Sequence, residues 1–404
     1  MPTLRVALFT DCFREANGVA TLSREFAAFA ERRQLPFFRV SSGPETRVTE
    51  RQSYTTLELK RSLAAFPLDH DLDCDPLLSR YKNWVTARVR PFQPDLVHIT
   101  GPGDIGILGL WVAHSLGIPL VASWHTNLHE YASRRLNKAF GFLPDTWRAR
   151  LCHTAEEQSL RACVRFYSWA RFLLAPNETM VRLLQERTGK PAYPMAHGVD
   201  AELFSPRRRR PRRGPFCIGY VGRLTPEKNV RLFADLERSL LAAGQRDFRL
   251  VMAGEGNERD WLSKNLRQGE TPGILRGEAL ADAFAGMDVF VFPSQTDTFG
   301  LVLLEAMASG VPVVVGPRTG ARAGIRDGIT GFYAEDVQAF TQAVLCLMNN
   351  EGLQRRMSSA ARLFACSRGW DGVFEQLYRT YELGLEETGL PANFLRKCPT
   401  TPCS

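Results

Sequence analysis

The stretch DVFVFPSQTDTFGLVLLEAMASGVPVVVG, residues 288–316, decides the fold. It opens with a β-branched and aromatic run, crosses a polar loop, enters an apolar helical segment and ends in a second run, PVVVG. Both runs are continuously apolar rather than alternating, the pattern of strands covered on both faces. Two such strands joined by a helix make a parallel βαβ unit. The same rhythm precedes it in CIGYVG (217–222) and FRLVMAG (248–254). It fills the first half as RVALFT (5–10), PFFRV (36–40), DLVHIT (95–100) and PLVASW (119–124). An α/β protein with two doubly wound, Rossmann-like domains is therefore expected.

A length of 404 residues with 44% hydrophobic and 23% charged side chains accommodates two packed cores and excludes a disordered chain. The expected division is an N-terminal domain over 1–204, a linker over 205–215, a second domain over 216–388 and a frayed Pro- and Cys-rich tail over 389–404. The linker, SPRRRRPRRGP, holds six arginines and cannot form a core. It reads as a solvated linker or protruding loop, or else as a contact with an anionic membrane surface.

Fifty-one basic against 43 acidic residues give a net charge of +8, most of it contributed by that linker, which argues against a nucleic-acid binder with a charged face throughout. Nine cysteines are scattered without a C-x-x-C, so neither a disulfide scaffold nor a zinc cage is suggested. A reducing cytosol fits this usage. Met1 runs directly into the first strand with no export signal, and the longest apolar stretches are broken by polar residues, so no membrane-spanning helix is expected.

Two motifs invite other functions. GPGDIG (101–106) matches G-x-G-x-x-G between a strand and a helix, the context of a dinucleotide site and hence of an NAD-dependent oxidoreductase. Such a site wants an acidic residue at the end of the next strand, and here that strand ends in Ser123, Trp124 and His125. The glycines therefore read as a tight turn. DHDLDCD (69–75) has a spacing that could hold a divalent cation against a diphosphate, but Pro76 follows and no strand leads into it, so a cap or turn is expected.

Ligands of open α/β sheets bind beyond the carboxyl ends of the strands, so the residues that follow each strand carry the functional information. After the first strand, Asn17 and Gly18 open a helix whose free N–H groups favour a phosphate. After CIGYVG comes GRLTPEKN, where Thr225 is expected as an N-cap and Pro226 as the first helical residue. Lys228 then falls in the first turn, against the helix dipole, a sign that a bound anion would reverse. Arg223 and Lys228 together can neutralise a departing diphosphate. In the third segment Phe299, Gly300 and Leu301 begin a helix with N–H donors for phosphate. Asp297 and Glu305 would lie about 12 Å apart along a helical path. That is too far for the paired carboxylates of a glycosidase, at roughly 5 to 9.5 Å, so the two are expected to grip different parts of one ligand.

GRLTPEKN, AGEG and TDTFGLVLLEAMASGVPVV resemble the retaining family 4 glycosyltransferases of GT-B fold, with NGV, HTN (125–127) and GVD (198–200) extending the likeness over nearly the whole chain. The resemblance implies two Rossmann-like domains facing each other across a cleft. It implies that Glu305 binds the nucleotide ribose, that Arg223 and Lys228 bind the diphosphate, that Gly18 closes on the phosphates, and that the backbone of Phe299–Leu301 supports the donor. Asp297 stands where the family's E-x(7)-E has Glu, which retains the carboxylate and shortens its reach. T-D-T-F-G and the HTN segment through Tyr131 look like the branch of bacterial α-mannosyltransferases and of sulfolipid and glycolipid synthases. GDP-mannose is accordingly the first expected donor and a UDP-hexose the second, with no obligatory metal. The expected acceptor is a hydroxyl of a glycolipid or glycan. His125 ends a strand and is assigned to the transferred sugar, whereas His98, His114, His129 and His153 read as structural. A cytoplasmic enzyme, peripheral at the inner membrane face if the acceptor is a lipid, is the resulting expectation.

Overall fold

The computed structural model describes residues 4–15, 17–69, 72–125, 145–210, 214–294, 297–316 and 324–389. The chain divides into two compact units, one of residues 1–196 with 371–404 and one of residues 197–370.

In the first unit the strands run β1 (Val6–Thr10), β2 (Phe37–Gly43), β3 (Arg47–Glu50), β4 (Tyr54–Lys60), a small hairpin of β5 (Phe66–Asp69) and β6 (Leu72–Cys74), then β7 (Leu96–Ile99), β8 (Leu120–Ser123), β9 (Phe172–Ala175) and β10 (Ala192–Pro194). Eight of them form one sheet in the order β10-β9-β8-β7-β1-β2-β4-β3, parallel except for the β3 edge. β1, β7, β8 and β9 are buried at every position, as their unbroken apolar runs require.

The second unit has β11 (Phe216–Val221), β12 (Phe248–Ala253), β13 (Gly269–Gly273), β14 (Val289–Phe292), β15 (Val313–Val315) and β16 (Gly331–Tyr333), in the parallel order β13-β12-β11-β14-β15-β16. That order reverses at β11, which pairs with β12 on one side and β14 on the other. Val289, Phe290 and Val291 are fully buried, each contributing about 1.5–3 kcal/mol by leaving water.

The unit boundary differs from the expected one in two ways. The C-terminal helix Trp370–Glu387 packs on the first unit: Phe374 stacks on Phe26 with ring centroids 4.8 Å apart. Gly384 makes room for Phe172, since a Cβ there would lie 2.7 Å from that ring. The crossing into the second unit falls at Ala196 and His197, ahead of the arginine run. Arg362 fixes the following segment by donating to the carbonyls of Phe204, at 2.7 Å, and Ala201, at 2.8 Å.

The arginine run is no free linker. Pro206–Arg208 forms a short turn capped by Ser205. Arg208 pairs with Asp282 at 2.9 Å. Arg209 donates to the Met287 carbonyl at 2.9 Å and to the buried Asp288 carboxylate. Asp288, 2% exposed, also accepts from Cys217 N at 2.8 Å, so the arginine supplies positive charge to a carboxylate held away from water. Residues 211–213 and the tail beyond 389 lie outside the described residues.

Candidate active site

In the second unit, β11 and β14 are neighbours, so the loops leaving their carboxyl ends converge at the point where the strand order reverses. Lys228 arrives on the β11 loop and Asp297 on the β14 loop. Lys228 Nζ donates to Asp297 Oδ1 at 2.7 Å, with side-chain exposures of 11% and 21%. Burial alone would raise the Asp297 carboxyl, but the Lys228 ammonium, Ser294 and Arg223 together outweigh it and hold the group below its ordinary value. Arg223 lies on the same loop, and its backbone carbonyl accepts from the Tyr220 hydroxyl at 2.9 Å. Its guanidinium is 3.8 Å from Glu227.

The local structure at Lys228 departs from expectation. Thr225 has the extended backbone of an N-cap but its side chain makes no capping hydrogen bond. Only a single turn of 3-10 helix follows, over Pro226–Lys228, ended by Asn229 in the left-handed region at φ 53°. The next α-helix begins at Leu232. Lys228 is therefore matched by the Asp297 carboxylate across the strand order, rather than opposed by a helix dipole of its own. The loop is held by the segment that follows β12: Leu224 N donates to Glu255 O at 2.8 Å, and Glu258 N donates to Leu224 O at 2.9 Å. Gly254 permits this approach, because a Cβ there would sit 1.9 Å from Gly222 O.

The helix Leu301–Ala308 follows the β14 loop, with Gly300 as its N-cap at φ 75°. Phe299 precedes that cap and stacks on His197, ring centroids 4.3 Å apart at 20°. His197 was not singled out from the sequence; its one signal is its place directly before GVD. Glu305 lies one turn into the helix between buried Leu304 and Ala306, and the apolar surroundings push its carboxyl up to about 7. Asp297 and Glu305, eight positions apart, thus have environments that drive them in opposite directions. This gathers Arg223, Lys228, Asp297, Phe299, Gly300, Leu301 and Glu305 in the second unit.

Gly18 and His125 belong to the first unit. Gly18 is the first residue of helix Gly18–Arg32, and the Asn17 cap takes the Ala20 N–H at 2.9 Å. His125 directly follows Trp124 at the end of β8 and is 8% exposed, its Nε2 at 2.7 Å from Ser123 Oγ. Desolvation lowers its pKa to about 4, so the ring is neutral near pH 7. Trp124 packs on Tyr167, centroids 4.9 Å apart, and the Tyr167 hydroxyl donates to Ser123 O at 3.2 Å, which clamps the strand exit. Thr126, Asn127 and Tyr131 lie outside the described residues, as do His129 and residues 70–71 of the Asp-rich segment.

The dinucleotide reading of Gly101–Gly106 does not hold. Asp11, leaving β1, fills the start of helix Asp104–Leu116: its Oδ1 accepts from Ile105 N at 2.9 Å and lies 3.4 Å from Gly106 N. A Cβ on Gly103 would be 2.4 Å from that carboxylate, and one on Gly106 would be 1.8 Å from Gly101 O. The glycines make room for an internal carboxylate where a pyrophosphate would need to sit. Asp75, the last acid of the Asp-rich segment, is likewise committed, accepting from Ser62 N at 2.7 Å and Ser62 Oγ at 2.6 Å.

Two parallel Rossmann-like sheets, the second with ion-pairing cations and carboxylates at its switch point, define the GT-B class of glycosyltransferases. Residues 16–203 match the family model described as Glycosyltransferase Family 4, and residues 215–350 the model described as Glycosyl transferases group 1. The GDP-mannose-dependent alpha-mannosyltransferase of Mycolicibacterium smegmatis is 33% identical over 312 residues, 75% of this chain and 77% of that one. The sulfoquinovosyl transferase SQD2 of Arabidopsis thaliana is 30% identical over 299 residues, 69% of this chain and 54% of that one. Among solved structures, Anabaena HepE in complex with UDP and glucose shares the fold with TM-score 0.66 at 15% identity, over 94% of this chain and 99% of that one. The chain belongs to the family 4 glycosyltransferases and is a nucleotide-sugar-dependent enzyme. Among the described residues, no helix is long and apolar enough to cross a membrane.

Proposed function

We propose that the enzyme transfers a mannosyl group from GDP-mannose to a hydroxyl acceptor, a glycolipid or glycan, with retention at the anomeric carbon. The donor assignment draws on likeness to the GDP-mannose-dependent relatives, and a UDP-hexose is the second candidate. The observation that carries the catalytic reading is the Lys228–Asp297 pair at the β11/β14 switch point, with Arg223 on the same loop.

Arg223 and Lys228 take the diphosphate, whose developing charge they offset without an obligatory divalent metal. The N–H groups of Phe299–Leu301 support it, with Gly18 closing on the phosphates, and Glu305 accepts from the ribose hydroxyls. His125 touches the transferred hexose. The acceptor oxygen bonds to the anomeric carbon on the face from which the phosphate oxygen departs, and the acceptor proton passes to that leaving oxygen. The Lys228 ammonium engages Asp297 Oδ1 at 2.7 Å, which lowers that oxygen's nucleophilicity and favours an electrostatic role over attack on the sugar; trapping of a glycosylated Asp297 would favour the covalent route instead. A panel of nucleotide sugars, read by released nucleoside diphosphate, tests the donor, and the product's anomeric configuration tests retention. Release from UDP-hexoses alone would overturn the mannosyl assignment. Full turnover in EDTA is expected.

A further inference from the structure

The first unit holds a buried polar chain that ends on His125. Tyr381, on the C-terminal helix, has its hydroxyl 2.7 Å from His98 Nδ1. His98 Nε2, in β7, lies 2.9 Å from Ser123 Oγ, and that oxygen lies 2.7 Å from His125 Nε2. Tyr381 and Ser123 are fully buried, His98 is 1% exposed and His125 8%. We propose that Tyr381, His98 and Ser123 form a positioning relay that holds His125 in the neutral Nδ1–H tautomer, with its proton on the ring nitrogen that Ser123 does not engage. The proposal rests on the assignment of His125 to the transferred hexose and deepens it.

The proton order follows from one end. Burial raises the Tyr381 hydroxyl well above its ordinary pKa, so it keeps its proton, and His98 Nδ1 is the acceptor within reach. Burial pushes His98 down to about 3, so the ring is neutral and its single proton resides on Nε2, donated to Ser123 Oγ. The Ser123 proton then goes to His125 Nε2 at 2.7 Å rather than to the Ile99 carbonyl at 3.4 Å. His125, neutral as well, carries its proton on Nδ1. A ring fixed this way donates to a sugar oxygen and does not take the acceptor proton through Nε2, in keeping with a leaving phosphate oxygen as base. His98 therefore acts through another residue, although its mid-strand position reads as structural. Tyr381 can do so because the C-terminal helix returns to the first unit.

The test is 15N NMR of the full-length, histidine-labelled protein at neutral pH, with the His125 signals identified by their loss in His125→Gln. A protonated Nδ1 and bare Nε2 are expected; a protonated Nε2 overturns the relay. Tyr381→Phe and Ser123→Ala should each let the second tautomer appear and lower kcat by about fivefold to tenfold, one neutral hydrogen bond's worth, with donor KM changed less than about twofold. Ser123→Thr, which keeps the hydroxyl, should restore the wild-type tautomer. Unchanged tautomer and kcat in Tyr381→Phe and Ser123→Ala overturn the proposal. Normal turnover in His125→Ala would instead remove the sugar assignment and leave the wild-type tautomer result standing.

Discussion

β1 in the first unit and β11 in the second occupy the same place, each flanked by the strand that follows it and by the one across the reversal in strand order. What the chain puts beyond them is opposite in kind, an acid in one and bases in the other. After β1 comes Asp11, whose carboxylate takes the N–H groups at the start of helix Asp104–Leu116. After β11 come Arg223 and Lys228, with an acid, Asp297, supplied by the β14 loop. One switch point is filled by its own buried carboxyl group; the other presents cations with which a diphosphate can pair. A shared fold offers the position, and a few residues after a strand decide what occupies it.

The sharpest way to break the comparison is Lys228→Ala. If the cation serves the leaving group, kcat should fall by about 100-fold to 1,000-fold, the loss typical of one preorganised charge-stabilising donor. Near-normal turnover at saturating donor would remove the anion-clamp argument. In the first unit the matching change is Gly103→Ala, which drives a methyl group into the Asp11 carboxylate. Stability should drop by about 2 kcal/mol in denaturant melts, the usual cost of an overpacked site, while NADH titration gives no binding with either protein.

Glu305→Gln sharpens the comparison through pH. Desolvation of the half-buried carboxyl pushes it up to about 7 from an ordinary 4.5, so the folded protein favours its protonated form. The stability this contributes is complete below about pH 4.5 and is lost as pH rises through about 7. Ribose hydroxyls donate to the ionised form, so donor KM should fall between pH 6 and 8 and flatten in the glutamine variant, with a loss of about tenfold at pH 8 from one charge-assisted hydrogen bond. A wild-type KM independent of pH would count against the ribose role. The smallest effect is expected for Arg209→Ala, which strips the buried Asp288 of a partly exposed cation. A loss of about 1 kcal/mol in melts would mark that arginine as a structural clasp; no change would return it to the pool of free surface charge.

Much of this was legible in the chain. The continuous apolar runs gave two parallel sheets, because strands covered on both faces cannot alternate. The residues at strand ends gave the candidates Arg223, Lys228, Asp297 and Glu305, because an open α/β sheet leaves few other places for a ligand. Other features were not legible, since they depend on which distant residues fold together. The arginine run looked solvated because its partners, Asp282 and Asp288, lie more than 70 residues onward. GPGDIG was legible as a tight turn, but the carboxyl that fills it was not, because Asp11 stands 90 residues before it and only β1–β7 pairing brings the two together. Thr225 and Pro226 carried the chemistry of a helix start, yet Asn229 turns the chain after one turn.

Sequence by itself determined the periodicity of burial and the kind of side chain offered at each strand end, since both are properties of neighbours along the chain. Tertiary structure decided which of those side chains are already satisfied. Lys228 faces a carboxylate 69 positions away, and His98 is tied to a tyrosine 283 positions away. A buried polar group takes its protonation and its role from whatever the fold places within about 3 Å, and that partner is fixed by packing rather than by adjacency.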